Sequence, residues 1–156
     1  MGFVSALLAL VGCDAQRAEK LVEDVSTETE VRAQFGEPKT VTIAADGRRT
    51  LEYPRQPEGV ANYVIVIGAN GKLSSLRQLL NADNFARIKP GMDRADLRQI
   101  LGPHATTQRF ELKKQDVLNW RFADGTQTKV FSVTLGADGK VIETTIGDDP
   151  RQTVGG

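Results

Sequence analysis

Hydrophobic and polar positions along this chain fall into one pattern that occurs twice. From Val25 to Gly36 and from Gly91 to Gly102 the sequence aligns without a gap. Each stretch opens on a good helix N-cap, Thr27 or Asp93, with an acid three residues on, Glu30 or Asp96. The first reads as a capping box and the second as its acidic counterpart. Apolar residues follow at helical spacing, Val31 with Phe35 and Leu97 with Ile100 and Leu101. Gly36 and Gly102 then stand where a chain leaving a helix takes positive φ, and Pro38 and Pro103 block continuation. A shorter helix is expected ahead of each, at 15–23 and at 82–87, the latter capped by Asn81.

After each helix pair the period changes from helical to alternating. Tyr63 to Leu73 matches Phe131 to Val141, and both runs enter an Asn-Gly or Asp-Gly turn, the strongest short-range hairpin signal. Further hairpins are expected at Asp46-Gly47 and Asp124-Gly125. The strands predicted for the first copy are 39–44, 49–53, 62–67 and 72–78, and for the second 106–112, 117–122, 128–135 and 140–146. The fold class is therefore α+β: two tandem α-α-β-β-β-β units, with antiparallel sheets and short helices packed on one face. The division expected is residues 13–80 for repeat 1, 81–147 for repeat 2 and a loose polar tail at 148–156.

The N-terminus has a character of its own. Phe3 to Val11 is apolar apart from Ser5 and leads into Gly12 and Cys13, the one cysteine of the chain. Small residues before a cysteine, behind an apolar run, have the layout of a bacterial lipoprotein signal. Residues 1–12 read as a signal peptide and Cys13 as the lipidated residue. The run is shorter than the roughly 20 apolar residues a helix needs to cross a bilayer. Asp14 behind the cysteine resembles an inner-membrane retention signal of some enteric bacteria; the outer membrane, with the protein facing the periplasm, is the location preferred here.

Charge and chemistry exclude several classes. Lys+Arg and Asp+Glu each number 20, so net charge is zero and there is no electrostatic footprint for nucleic acid. The single histidine, His104, has no nucleophile beside it in sequence, and a zinc site would want several His or Cys ligands. Acids such as Glu28, Glu30, Asp93 and Asp96 belong at helix starts, where they complement the dipole. No catalytic residues, metal ligands or cofactors are assigned, and the chain is read as a non-enzyme.

What remains are surfaces. In Tyr63 to Ile67 the odd positions match the apolar face of Phe131, Val133 and Leu135. Val64 and Val66 then stand where the second copy has Ser132 and Thr134. Together with Arg55, in a loop holding two prolines, they are the candidate partner-binding residues. Trp120, between Leu118 and Phe122 in the alternation, is expected in the core.

The segment Gly91-Met92-Asp93, Asp96-Leu97, Leu101-Gly102, with its approach Leu80 to Pro90, is similar to the helix signature of the BamE/SmpA lipoprotein family. The stretch Tyr53 to Gly59, followed by Tyr63 to Ile67 and Asn70-Gly71, resembles the strand-loop-strand segment of that family. Two such copies in tandem also resemble the β-lactamase inhibitor protein fold, in which paired units form an eight-stranded sheet backed by helices. The first resemblance implies a scaffold lipoprotein of outer-membrane assembly or maintenance, with barrel-assembly machinery as partner. The second implies a periplasmic inhibitor or sequestering protein of an envelope enzyme.

Overall fold

The computed structural model describes the backbone of residues 10–152 and the side chains from Asp14 onward. The expected signal peptide lies largely outside the described residues, as does the side chain of Cys13. The elements are α1 (Leu10–Glu19), α2 (Glu28–Phe35), β1 (Thr40–Ile43), β2 (Arg49–Pro54), β3 (Asn62–Ile67), β4 (Leu73–Gln78), α3 (Ala82–Arg87), α4 (Arg94–Leu101), β5 (Thr106–Phe110), β6 (Gln115–Asp124), β7 (Gln127–Leu135) and β8 (Val141–Asp148). A 3-10 turn, Pro150–Gln152, follows. The order α-α-β-β-β-β runs through twice, as the repeat predicts. Hydrogen bonding divides the strands into two antiparallel sheets of four, β1-β2-β3-β4 and β5-β6-β7-β8.

Helices α2 and α4 start as their sequences dictate. The Thr27 amide donates to Glu30 Oε2 at 2.7 Å while the Glu30 amide donates to Thr27 Oγ1. Asp93 and Asp96 make the same reciprocal pair at 2.9 and 3.0 Å, so an aspartate serves where the capping box usually has glutamate. Both helices end on the expected glycines, Gly36 at φ 81° and Gly102 at φ 75°.

The described residues form two compact units, one of residues 10–53 and 64–77, the other of residues 54–63 and 78–152. In the first, Val31, Phe35, Leu51, Tyr53, Ile65, Ile67 and Leu73 are buried, and the Phe35 and Tyr53 rings meet at 5.4 Å. In the second, α3 and α4 supply Phe85, Leu97 and Leu101 to a core with Leu118, Trp120, Phe122, Phe131, Val133 and Leu135. Phe85 stacks on Phe131 at 4.2 Å and meets Phe122 edge-on. Trp120 is core, as expected, and its indole N–H donates to the Gly102 carbonyl.

Four expectations need correction. The first helix lies at Leu10–Glu19 rather than 15–23. Past it, Asp24 N–H donates to Leu73 O and Leu73 N–H to Ser26 O, so 24–26 pairs with the start of β4 instead of coiling. In the second copy Gly91 N–H donates to Val141 O and Val141 N–H to Met92 O. Asp24, at φ 62°, is thus the counterpart of Gly91, at φ 92°, and Val25 is an extra residue in the first copy. The ungapped alignment of Val25 with Gly91 fails at that position.

The β5-β6 hairpin turns at Glu111–Lys114 instead of after residue 112. No Asn-Gly or Asp-Gly marks this turn, and Lys114 takes the positive φ, 51°. Finally, residues 147–152 are not a loose tail. Gly147 and Asp148 extend β8 against Val130 and Lys129, and Asp149 is buried.

Candidate functional site

The second sheet has one face on its helices and one face open. Alternation along the strands sends Leu118, Trp120 and Phe122 inward from β6, with Phe131, Val133 and Leu135 from β7. The intervening positions form the other face: Thr106 and Gln108 of β5, Asn119 and Arg121 of β6, Val130 and Ser132 of β7, Thr145 and Gly147 of β8. These residues line a groove of about 400 Å³, walled at one end by Asp149, Pro150 and Arg151.

The polar side chains of this face hold one another. Asn119 Nδ2 donates to Thr106 Oγ1 at 3.1 Å and Ser132 Oγ donates to Asn119 Oδ1 at 2.7 Å, a ladder across three strands. At the walled end the register explains the geometry. β5 begins at Thr106, opposite Asn119, so the Arg121 backbone faces a side with no strand on it. The Gln56 side chain takes the place of that strand: Arg121 N–H donates to its Oε1, and its Nε2 donates to the Arg121 carbonyl, both at 2.9 Å. An amide side chain is a peptide group in miniature, so it satisfies both ends of a residue that would otherwise be orphaned.

The Arg121 guanidinium is fixed from three directions. Nε donates to Asp149 Oδ2 at 2.7 Å, and Nη1 donates to the Pro57 and Glu58 carbonyls at 2.9 and 2.8 Å. Arg151 Nη1 reaches the same Pro57 carbonyl at 3.0 Å. Asp149 is 2% exposed and Arg121 13% at the side chain, so this is a nearly dry ion pair. Burial alone would raise the Asp149 carboxyl. The Arg151 amide, the Arg121 guanidinium and the Arg151 charge more than reverse that and hold it below the ordinary carboxylate value. Asp149 also accepts from the Arg151 and Gln152 amides, capping the turn that Pro150 opens.

A second polar centre supports the same unit. Asn62, 2% exposed, donates through Nδ2 to the Leu101 and Pro103 carbonyls, so it closes the C-terminus of α4. His104 packs edge-on to Trp120 at 5.7 Å and shares a 2.8 Å hydrogen bond with Thr107 Oγ1. Burial first, and the Arg94 charge second, lower its pKa, so the ring is neutral near pH 7. Among the described residues no three His, Cys, Asp or Glu side chains stand together as a metal site.

The residues singled out from sequence fall as follows. Val64 and Val66 lie on one face of β3, half-buried, opposite Tyr63, Ile65 and Ile67. They belong to the first compact unit, and Arg55 to the second. Arg55 is half-buried at the start of the 55–61 turn, where its amide donates to the Ala61 carbonyl and its own carbonyl accepts from Gly59 N–H. Sequence reasoning missed Gln56, Arg121, Asp149 and Arg151. One signal was available: Asp149-Pro150 is an N-cap followed by a first-turn proline.

No family model matches the chain, and no curated protein matches it. Among solved structures it is similar to a DUF4309 family protein, YjgB, from Bacillus subtilis subsp. subtilis str. 168, at 19% identity and a TM-score of 0.35, covering 86% of each chain. It is also similar to a "putative beta-lactamase inhibitor protein" from Streptococcus mutans, at 10% identity and a TM-score of 0.34, covering 88% of this chain and 97% of that one.

Proposed function

We propose that this chain is a lipid-anchored, non-catalytic binding module of the bacterial cell envelope that sequesters or inhibits an envelope enzyme through the open face of its second sheet. The observation that carries the reading is the pre-ordering of that face. Thr106, Asn119 and Ser132 already hold each other, and the Gln56, Arg121 and Asp149 cluster fixes one wall. A surface whose side chains are immobilised before a partner arrives loses less entropy on binding, which is where much of the cost of association lies. Its ordered hydrogen-bonding groups suit a protein surface. The lipobox-like Gly12-Cys13 supports the envelope location, and the two-copy architecture supports the inhibitor class over a single-unit scaffold.

The test replaces groove residues that hold nothing up. Gln108 and Thr145 are exposed on β5 and β8. Gln108→Arg and Thr145→Arg should leave the melting temperature unchanged and abolish crosslinked recovery of the partner from whole cells. Recovery of a soluble hydrolase whose activity falls on adding purified protein is the expected result. Recovery of barrel-assembly components would instead favour the scaffold role that the Gly91 to Gly102 signature implies. Undiminished recovery with both variants would overturn this face as the binding surface.

A further inference from the structure

The β5-β6 hairpin carries side chains that folding does not explain. Leu112 at its apex is fully exposed, at 103% of the reference area, and Phe110 at the end of β5 is 40% exposed. The equivalent hairpin of the first copy, between β1 and β2, turns through Ala44-Ala45-Asp46-Gly47-Arg48 and has no large apolar residue at its tip. The two hairpins occupy the same place in the repeat, so the apolar apex is not required by the architecture.

Charge at the apex is sorted as well. Arg109 pairs with Asp116 at 3.0 Å and with Glu111 at 3.5 Å, and Arg94 adds a 2.6 Å bond to the other Asp116 oxygen. Both hairpin acids are therefore neutralised by arginines at its base. Lys113 and Lys114, exposed and directly following the Leu112 apex in the turn, have no acid partner among the described residues. The apex therefore offers an apolar tip beside two free ammonium groups on flexible stems. We propose that this hairpin tip dips into an anionic lipid surface, with Leu112 and Phe110 in the headgroup-acyl boundary and Lys113 and Lys114 on the lipid phosphates.

The chemistry matches the surface. An amphipathic tip gains from both apolar burial and attraction to anionic lipid, and the lysine stems can lie along apolar surface while their charges stay at the headgroups. An acidic protein patch would use the cations but would need a dedicated pocket for an apex that protrudes on all sides.

A tryptophan placed at the apex, Leu112→Trp, reports its own depth in the full chain, because Trp120 is buried and serves as internal control. With phosphatidylglycerol vesicles carrying brominated acyl chains, emission from the added tryptophan should be quenched and wild-type emission unchanged. Lys113→Glu with Lys114→Glu in that background should reduce the quenched fraction at least about tenfold, since two attractive contacts become repulsive. Co-sedimentation without quenching would overturn the proposal, because another part of the chain would then hold the vesicle. Equal quenching on pure phosphatidylcholine would overturn the role given to the lysines. Absence of quenching together with loss of a crosslinked protein in Leu112→Ser would replace the lipid by a protein partner.

Discussion

Gly36 and Gly102 occupy equivalent positions and share a backbone conformation near φ 80°, ψ −165°, a region open almost only to glycine, yet their surroundings differ. A Cβ on Gly36 would meet nothing within 4 Å, whereas one on Gly102 would sit 3.0 Å from Asn62 Nδ2 and 3.3 Å from its Cβ. Asn62 cannot withdraw without releasing the Leu101 and Pro103 carbonyls. Gly36→Ala should therefore cost about 1–2 kcal/mol, the conformational term alone, and Gly102→Ala clearly more. Urea unfolding of the two variants reads the difference directly, and equal losses would refute the role given to Asn62. Asp24 carries the other test at this scale. Aspartate tolerates positive φ better than most residues, so Asp24→Gly should be near neutral and Asp24→Val should cost about 1 kcal/mol or more. The conformations of Gly36 and Gly102 were legible because a glycine after an amphipathic run has few other reasons to be there. The one at Asp24 was hidden, since an aspartate in a loop is ordinary and the extra residue, Val25, shifted the alignment by one.

At the level of elements, the capped helices and the strands bounded by Asp-Gly or Asn-Gly were readable from local rules alone. The turn at Glu111–Lys114 and the ordered stretch after Gly147 were not, because each is decided by pairing across the sheet. The same distinction separates the candidate site from its legibility. Val64 and Val66 stand out through the alternation of a single strand. Gln56, Arg121 and Asp149 have no shared pattern, being brought together only when β6 outruns β5 and leaves the Arg121 backbone exposed. Their cluster has a pH signature whose sign is fixed. Asp149 titrates lower in the folded state than in the unfolded chain, so its contribution to stability is fully present above the ordinary carboxylate range near ~3.9. It disappears as pH falls through the lowered native value. Asp149→Asn should flatten the fall in melting temperature below about pH 4, the range in which an unperturbed aspartate would take up its proton. An unchanged acid slope would mean that other carboxylates govern it.

At the scale of the whole molecule, the proposed role requires something that keeps the chain at the envelope. Net charge is zero, so no general electrostatic attraction holds it to a membrane. Among the described residues no helix is long and apolar enough to cross a bilayer. The proposed anchor is instead covalent, through Cys13 behind the Phe3 to Gly12 run. One acyl chain gives only marginal, reversible attachment, and stable residence takes a second signal. The β5-β6 apex would add a second, weaker contact of that kind. This predicts a graded outcome. Wild-type protein should label with palmitate, lose residues 1–12 and fractionate entirely with the envelope. Cys13→Ser should lose the label, and the small fraction still sedimenting should be released by salt, because only the β5-β6 apex would remain and the attraction of Lys113 and Lys114 to anionic lipid is screened. Leu112→Ser in that background should make the protein fully soluble. Mass spectrometry of the membrane fraction decides the first step: wild-type chains there that still begin at Met1 would exclude cleavage before Cys13, and with it the anchor.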